Sequence, residues 1–190
     1  AVTVNQVCGS GMRAAMNADN NIRLGEARTI LTGGIESMSN APYYVRGTRT
    51  GATKFGHMTM EDGMVADGLT CPFEGWGMGN AGEHTARTYK ISREDQDAFS
   101  LASHHRAAAA QKAGHFKRTV VTIEVQGKKD KIQFSEDESI RGDATIEDLR
   151  KLKPAFEKDG TITAGNSSQL TDGAAMALIT SEAEASKRGW

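Results

Sequence analysis

Ala1-Val2-Thr3-Val4-Asn5-Gln6-Val7-Cys8-Gly9-Ser10-Gly11-Met12 opens the chain, and the reading of the rest depends on it. An apolar, β-branched run ends at a cysteine, small residues follow, and an alanine-rich stretch suited to a helix takes over. That order mounts a thiol at the positive end of a helix, where its anionic form is favoured. Gly9 and Gly11 leave room for a carbonyl group to approach the sulfur. The same pattern also fits a structural cysteine in a strand-to-helix turn, so these residues alone leave both readings open.

Working outward, residues 11–24 read as a helix with small residues at Ala14, Ala15 and Ala18, apolar Met12, Met16 and Ile22, and Gly25 at its end. Few of these side chains suit water, which predicts a helix packed between layers. Thr29–Thr32 is a short β-branched strand bounded by Gly33 and Gly34, and strand, helix, strand predicts a parallel βαβ unit. From about residue 40 to 164 the composition turns polar and rich in Gly and Met, as an insertion into the sheet would be. Within it, Ser92 is the N-cap of a helix running to Gly114. Residues 119–125 read as a strand, with 128–134 as its hairpin partner across Gln126-Gly127. Ala174–Thr180 reads as a buried strand, and Ser181 with Glu184 as the capping box of a last helix.

The bulk numbers set limits. The 190 residues carry 23 Lys and Arg against 24 Asp and Glu, a formal net charge of -1. That balance offers no general attraction to nucleic acid or an anionic membrane, and no apolar run approaches the length of a spanning helix. Hydrophobic residues at 38% fall in the globular range once glycine is added, and the 21 glycines exceed usual usage, predicting tight turns and close backbone approaches. Two cysteines 63 positions apart predict a reducing, cytoplasmic setting, not a disulfide framework. Cys and His show no metal-ligand spacing, and Gly75-Trp76-Gly77-Met78-Gly79 lacks the strand that a dinucleotide fingerprint needs. A chain that begins inside a strand-like run and stops just after a short helix reads as an interior piece of a longer protein.

Read as a block, Val4-Asn5-Gln6-Val7-Cys8-Gly9-Ser10-Gly11-Met12-Arg13-Ala14 resembles the acyl-enzyme cysteine signature of the thiolase family. Gly33–Pro42, Asp67–Thr70 with Gly77-Met78-Gly79, and Thr163–Ser168 with Asp172–Ala175 resemble further family segments in the family's order. The chain departs at Ala15, where a branched apolar residue is usual, and at Gln169, where many members have Gly. The resemblance implies an α/β, layered αβαβα fold, present here in part. Residues 1–40 would belong to the N-terminal core, 41–164 to an inserted α+β loop domain, and 165–190 to the return into the core.

It further implies an acyltransferase in which Cys8 forms an acyl thioester and exchanges acyl groups with coenzyme A, acting as substrate and not as a cofactor. By the same resemblance Leu69, Met78 and Phe156 would line an apolar slot, Ser168 would bond the pantetheine arm, and Arg141 would meet the nucleotide end. Each of these also has an ordinary reading as packing or a solvated charge. The activating His and a second catalytic Cys of thiolases have no counterpart here, so the 190 residues alone would be inactive, and Cys71 reads as an ordinary thiol. His104 and His105 read as a solvated helix face. No metal, nucleic acid or membrane partner is implied. A homodimer or homotetramer is, with Arg46–Met60 as a candidate tetramer contact. A related condensing enzyme with another acyl donor, and a non-catalytic CoA- or lipid-binding protein, are the alternatives.

Overall fold

A computed structural model describes residues 1–51 and 54–190. In chain order the regular elements are α1 (Ser10–Arg23), β1 (Thr29–Ser37), β2 (Tyr43–Tyr44), β3 (Glu61–Asp62), α2 (Met78–Tyr89), α3 (Arg93–Lys112), β4 (Ile123–Gln126), β5 (Lys131–Phe134), α4 (Ile146–Arg150), β6 (Asp172–Thr180) and α5 (Glu182–Arg188). They divide into two compact units, Ala1–Thr70 with Leu170–Trp190, and Cys71–Gln169.

The first unit is built on β1 and β6, paired antiparallel from Thr29 opposite Thr180 to Ser37 opposite Asp172. Among the described residues no parallel βαβ unit forms: residues 1–5 carry no ladder, and β1 takes as its partner a strand that arrives after the whole insertion. Nor does β1 stop at its glycines. Gly33 and Gly34 lie inside the ladder, and a Cβ on Gly33 would come within 2.8 Å of the Ala175 carbonyl oxygen, so glycine serves close strand approach here and not a turn. A Cβ on Gly34 would sit 3.7 Å from the Gly11 Cα. The small residues of α1 thus lie against the sheet, with Ala18 buried. Met12 and Met16 point the other way and are exposed, so α1 is packed on one face in this chain, not between layers.

Three cross-strand pairs on the open face of the sheet lie without cover. Leu31 opposes Leu178, Met176 opposes Gly33, and Ile35 opposes Ala174, and the four large side chains among them are exposed. The expectation of a buried last strand is therefore corrected: β6 forms as a strand, but its apolar face has no covering layer among the described residues. Asp172 ties the far end of the ladder to the turn Met38–Asn40, accepting from the Ser39 N–H at 2.9 Å and from the Ser39 hydroxyl. α5 starts at Ser181, whose Oγ accepts from the Glu184 N–H at 3.2 Å; Glu184 itself turns to Arg188, so half of the expected box is present.

Within the same unit, the short β2–β3 ladder precedes a π-helical turn, Met64–Leu69. Gly63 donates to the Pro42 carbonyl at 2.9 Å, and the Tyr44 hydroxyl donates to Asp67 at 2.6 Å. Arg46 pairs with Glu61. Ala52 and Thr53, inside the stretch considered as a tetramer contact, lie outside the described residues.

In the second unit α3 begins where expected: the Ser92 Oγ accepts from the Asp95 N–H at 3.1 Å, and Gly114 follows its end at a φ of 78°. The hairpin β4–β5 also forms, shifted toward the C-terminus and closed by the Gly127 N–H on the Asp130 carbonyl at 2.9 Å. Two elements lie outside the sequence-based expectation. α2 starts directly after Gly77, and α4 starts at a capping box in which Thr145 and Asp148 each bond the other's backbone. The buried residues of this unit are Ala86, Leu149, Glu83, Asp97 and Thr163, a core in which two carboxylates replace apolar mass.

Candidate functional site

Cys8 is a free, exposed thiol on a turn that leads into α1. It lies one residue before the N-cap, Gly9, and two before the first helical residue. Two side chains hold the turn. The Ser10 Oγ accepts from the Gln6 N–H at 2.9 Å and donates to the Val7 carbonyl at 2.7 Å, while the Asn5 Oδ1 accepts from the Val7 N–H at 2.9 Å. Val7 is forced to a φ of 50°, a left-handed conformation that costs a β-branched residue roughly 1–2 kcal/mol. Hydrogen bonds of the turn use the N–H groups of Gln6, Val7, Gly9 and Ser10 but not that of Cys8, and no histidine takes part in them. Asn5 and Ser10 are not among the residues the sequence marks for the site, since both sit inside the cysteine motif. Their signal was chemical: an Asn two residues before a strained peptide and a Ser three after it are the residues that bond local backbone.

Leu69 also belongs to the first unit, half-buried at the end of the π-helical turn. The other four candidate residues lie in the second unit. Met78 is the first residue of α2 and is 43% exposed; Gly79 beside it lies so close to the Phe156 ring that a Cβ would overlap it. Phe156, 46% exposed, therefore packs on Gly79 at the start of α2, the residue that follows Met78. The Ala155 N–H donates to the Ile162 carbonyl at 2.9 Å, joining the Phe156 segment to the loop 161–168 that carries exposed Ser168. Glu157 next to Phe156 accepts from Arg87 of α2 at 2.6 Å; that guanidinium holds its carboxyl below the ordinary range.

Arg141 is exposed and stands apart from this group, on a loop docked to the middle of α3. Its N–H donates to the His104 Nδ1 at 3.2 Å, and the His105 Nε2 meets the Ala144 carbonyl at 3.0 Å. The two histidines thus anchor the Arg141 loop from a helix face on which His105 stays exposed. The His84 ring lies tilted against Trp76, 41° between planes and 5.5 Å between centroids. Cys71 is half-buried, its N–H on the Trp76 carbonyl at 2.8 Å. Among the described residues no three His, Cys, Asp or Glu side chains converge as metal ligands would, and no helix is long and apolar enough to cross a membrane.

Residues 1–183 match the family model of the thiolase N-terminal domain. The acetyl-CoA acetyltransferase of Shinella zoogloeoides is 49% identical over 186 residues, covering 98% of this chain and 47% of that protein. That of Rhizobium meliloti strain 1021 is 47% identical, with the same coverage. The crystal structure of human mitochondrial 3-ketoacyl-CoA thiolase superposes with a TM-score of 0.90 at 41% identity, over 98% of this chain and 47% of that one. A structure of the same human enzyme in complex with CoA gives 0.87 at 41% identity, over 100% and 47%. The chain belongs to the thiolase family and has part of the thiolase α/β fold. It spans about half the length of the relatives it matches.

Proposed function

We propose that this chain carries the nucleophile of a CoA-dependent acyltransferase, an acetyl-CoA C-acyltransferase of the thiolase type. The observation that carries the reading is the exposed thiol of Cys8 on a side-chain-braced turn in a chain of this family. The Cys8 sulfur attacks the thioester carbonyl of acetyl-CoA; a carbon–sulfur bond forms, the bond to CoA breaks, and the CoA sulfur leaves with the proton. The Cys8 N–H, unused within the turn, is the local donor for the transient oxyanion. The acetyl group then passes to the deprotonated methyl carbon of a second acetyl-CoA, giving acetoacetyl-CoA and restoring the thiol. In reverse, a 3-ketoacyl-CoA loses acetyl-CoA to leave the acyl-enzyme, which a CoA thiol resolves.

In this reading Leu69, Met78 and Phe156 line the slot for the acyl group and pantetheine, Ser168 bonds the pantetheine arm, and Arg141 meets the nucleotide end. Joined loops at Phe156 and Ser168 support the first part of that assignment. Residues 1–40 and 165–190 act as core and 41–164 as the loop domain. The assembly is a homodimer or homotetramer in which Arg46–Met60 is the candidate contact, and two free thiols fit a reducing, cytoplasmic setting. The general base and the second acid/base thiol come from outside these residues.

Turnover of the parent protein tests the assignment. Cys8→Ser lowers kcat by at least about a thousandfold while Cys71→Ser stays within about twofold, an effect size ordinary for loss of a covalent nucleophile. Equal losses in the two variants would count against Cys8.

A further inference from the structure

Glu83 is 1% exposed in the middle of α2, and every hydrogen bond its carboxylate accepts comes from one short stretch of chain. The Thr161 N–H reaches both of its oxygens at 2.9 Å, the Ile162 N–H reaches Oε1 at 2.8 Å, and the Thr161 hydroxyl donates to Oε2 at 3.1 Å. A buried carboxylate is costly unless its oxygens are met by donors. These donors belong to the loop and not to α2, so the carboxylate fixes where the loop sits on the helix. Gly160 completes the fit, since a Cβ there would fall on the Glu83 Oε1.

The far side of the loop is held by a second buried carboxylate. Asp97 of α3, also 1% exposed, accepts from the Asn166 side chain at 3.1 Å, and the Asn166 Oδ1 accepts from the Thr163 N–H at 2.7 Å. Thr163 is wholly buried between these contacts, and its carbonyl accepts from the Ser167 hydroxyl. Ser168 is the next residue and is exposed. Packing alone would be served as well or better by an apolar residue at 83. A charge that addresses successive backbone N–H groups serves position.

We propose that Glu83 is a positioning residue for the CoA-binding loop, latching Thr161 and Ile162 onto α2 so that Ser168 is held in register to meet the pantetheine arm. The inference rests on the proposed role of Ser168. It makes α2 a common ruler for the site: Glu83 sets the Ser168 loop, and Arg87, one turn on, sets the Phe156 segment through Glu157.

Steady-state thiolysis by the full-length parent enzyme, with CoA varied at fixed acetoacetyl-CoA, tests it alongside hydrogen exchange. Glu83→Gln replaces one acceptor oxygen by an amide that opposes the loop N–H groups. Its expected effect is a rise of about tenfold in KM for CoA with kcat within about threefold, and faster exchange confined to residues 161–168. Thr161→Val removes one hydroxyl donor only, and is expected to raise the same KM by about threefold if the glutamine variant does not fold. An unchanged KM in the folded variants, with Ser168→Ala raising it, would overturn the latch while leaving the CoA assignment intact. Equal effects on kcat and KM, with exchange accelerated throughout the unit, would overturn it as well, since Glu83 would then be a general stabiliser. If Ser168→Ala itself leaves KM unchanged, the assignment beneath the inference falls and the inference with it.

Discussion

Val7 is the residue at which the cost of presenting a thiol can be read. A valine at a φ of 50° persists only where neighbours over-determine it, and here Asn5 and Ser10 bond the peptide groups on either side of it. Ser10→Ala removes an acceptor and a donor from an exposed turn, a loss of about 1 kcal/mol in stability. The larger expected effect is on rate: kcat of the parent enzyme falls about tenfold with KM for CoA little changed, because the sulfur is misplaced and not the substrate. Steady-state kinetics with a thermal melt of the same variant checks both halves. Cys8 stood out in the sequence because a reactive cysteine requires a recognisable setting. Its supports did not, since a bond from a side chain to a nearby backbone is decided by conformations the sequence only permits.

At the scale of elements, what was legible was local. α1 with Gly25, α3 between Ser92 and Gly114, and the start of α5 at Ser181 are set by residues within a turn of their ends, and each formed as its caps required. β1 and β6 pair across the whole insertion, so their antiparallel register could not be inferred from either stretch, and the glycines that looked like strand ends proved to be strand contacts. Nothing local marks Glu83 and Asp97 as buried, because the loop residues that bond them lie 79 and 69 residues further along the chain.

The end of the β1–β6 ladder carries a pH-dependent element. Asp172 is held below the ordinary carboxylate range, first by the Ser39 hydroxyl, then by the Ser39 N–H, against a smaller cost of desolvation and with further help from Ser37. A depressed folded pKa means that its contribution is present at pH above the unfolded carboxylate range and is lost as pH falls through the folded value. Asp172→Asn is therefore expected to lower the melting temperature at pH 7, and the gap from the unaltered protein is expected to close on acidification below the usual carboxylate range. Parallel melts across pH check this; a gap independent of pH would show that the carboxylate charge is not what holds Ser39.

For the whole molecule the informative feature is uncovered apolar surface. Ile35 is 82%, Met176 69%, Leu31 61% and Leu178 51% exposed on one face of a two-stranded sheet. A soluble monomer rarely leaves such a group contiguous and open. The isolated 190-residue chain is expected to bind an apolar-surface dye and to associate with rising concentration, and Met176→Lys with Ile35→Lys is expected to reduce both, as fluorescence and light scattering would report. It is also expected to show no thiolysis, because no base stands in the Cys8 turn. Of the residues proposed to meet CoA, Met78, Arg141, Phe156 and Ser168 lie in the second compact unit, while Leu69 and the cysteine proposed to hold the acyl group lie in the first.

Trapping the acyl-enzyme reads the central claim directly. The parent protein, incubated with acetyl-CoA labelled in the acetyl carbonyl, quenched in acid and digested, is expected to yield one thioester-linked acetyl group on the peptide containing Cys8, discharged when CoA is added before the quench. An acetyl group on Cys71 or any other residue, or steady turnover with no label on Cys8, would contradict the account.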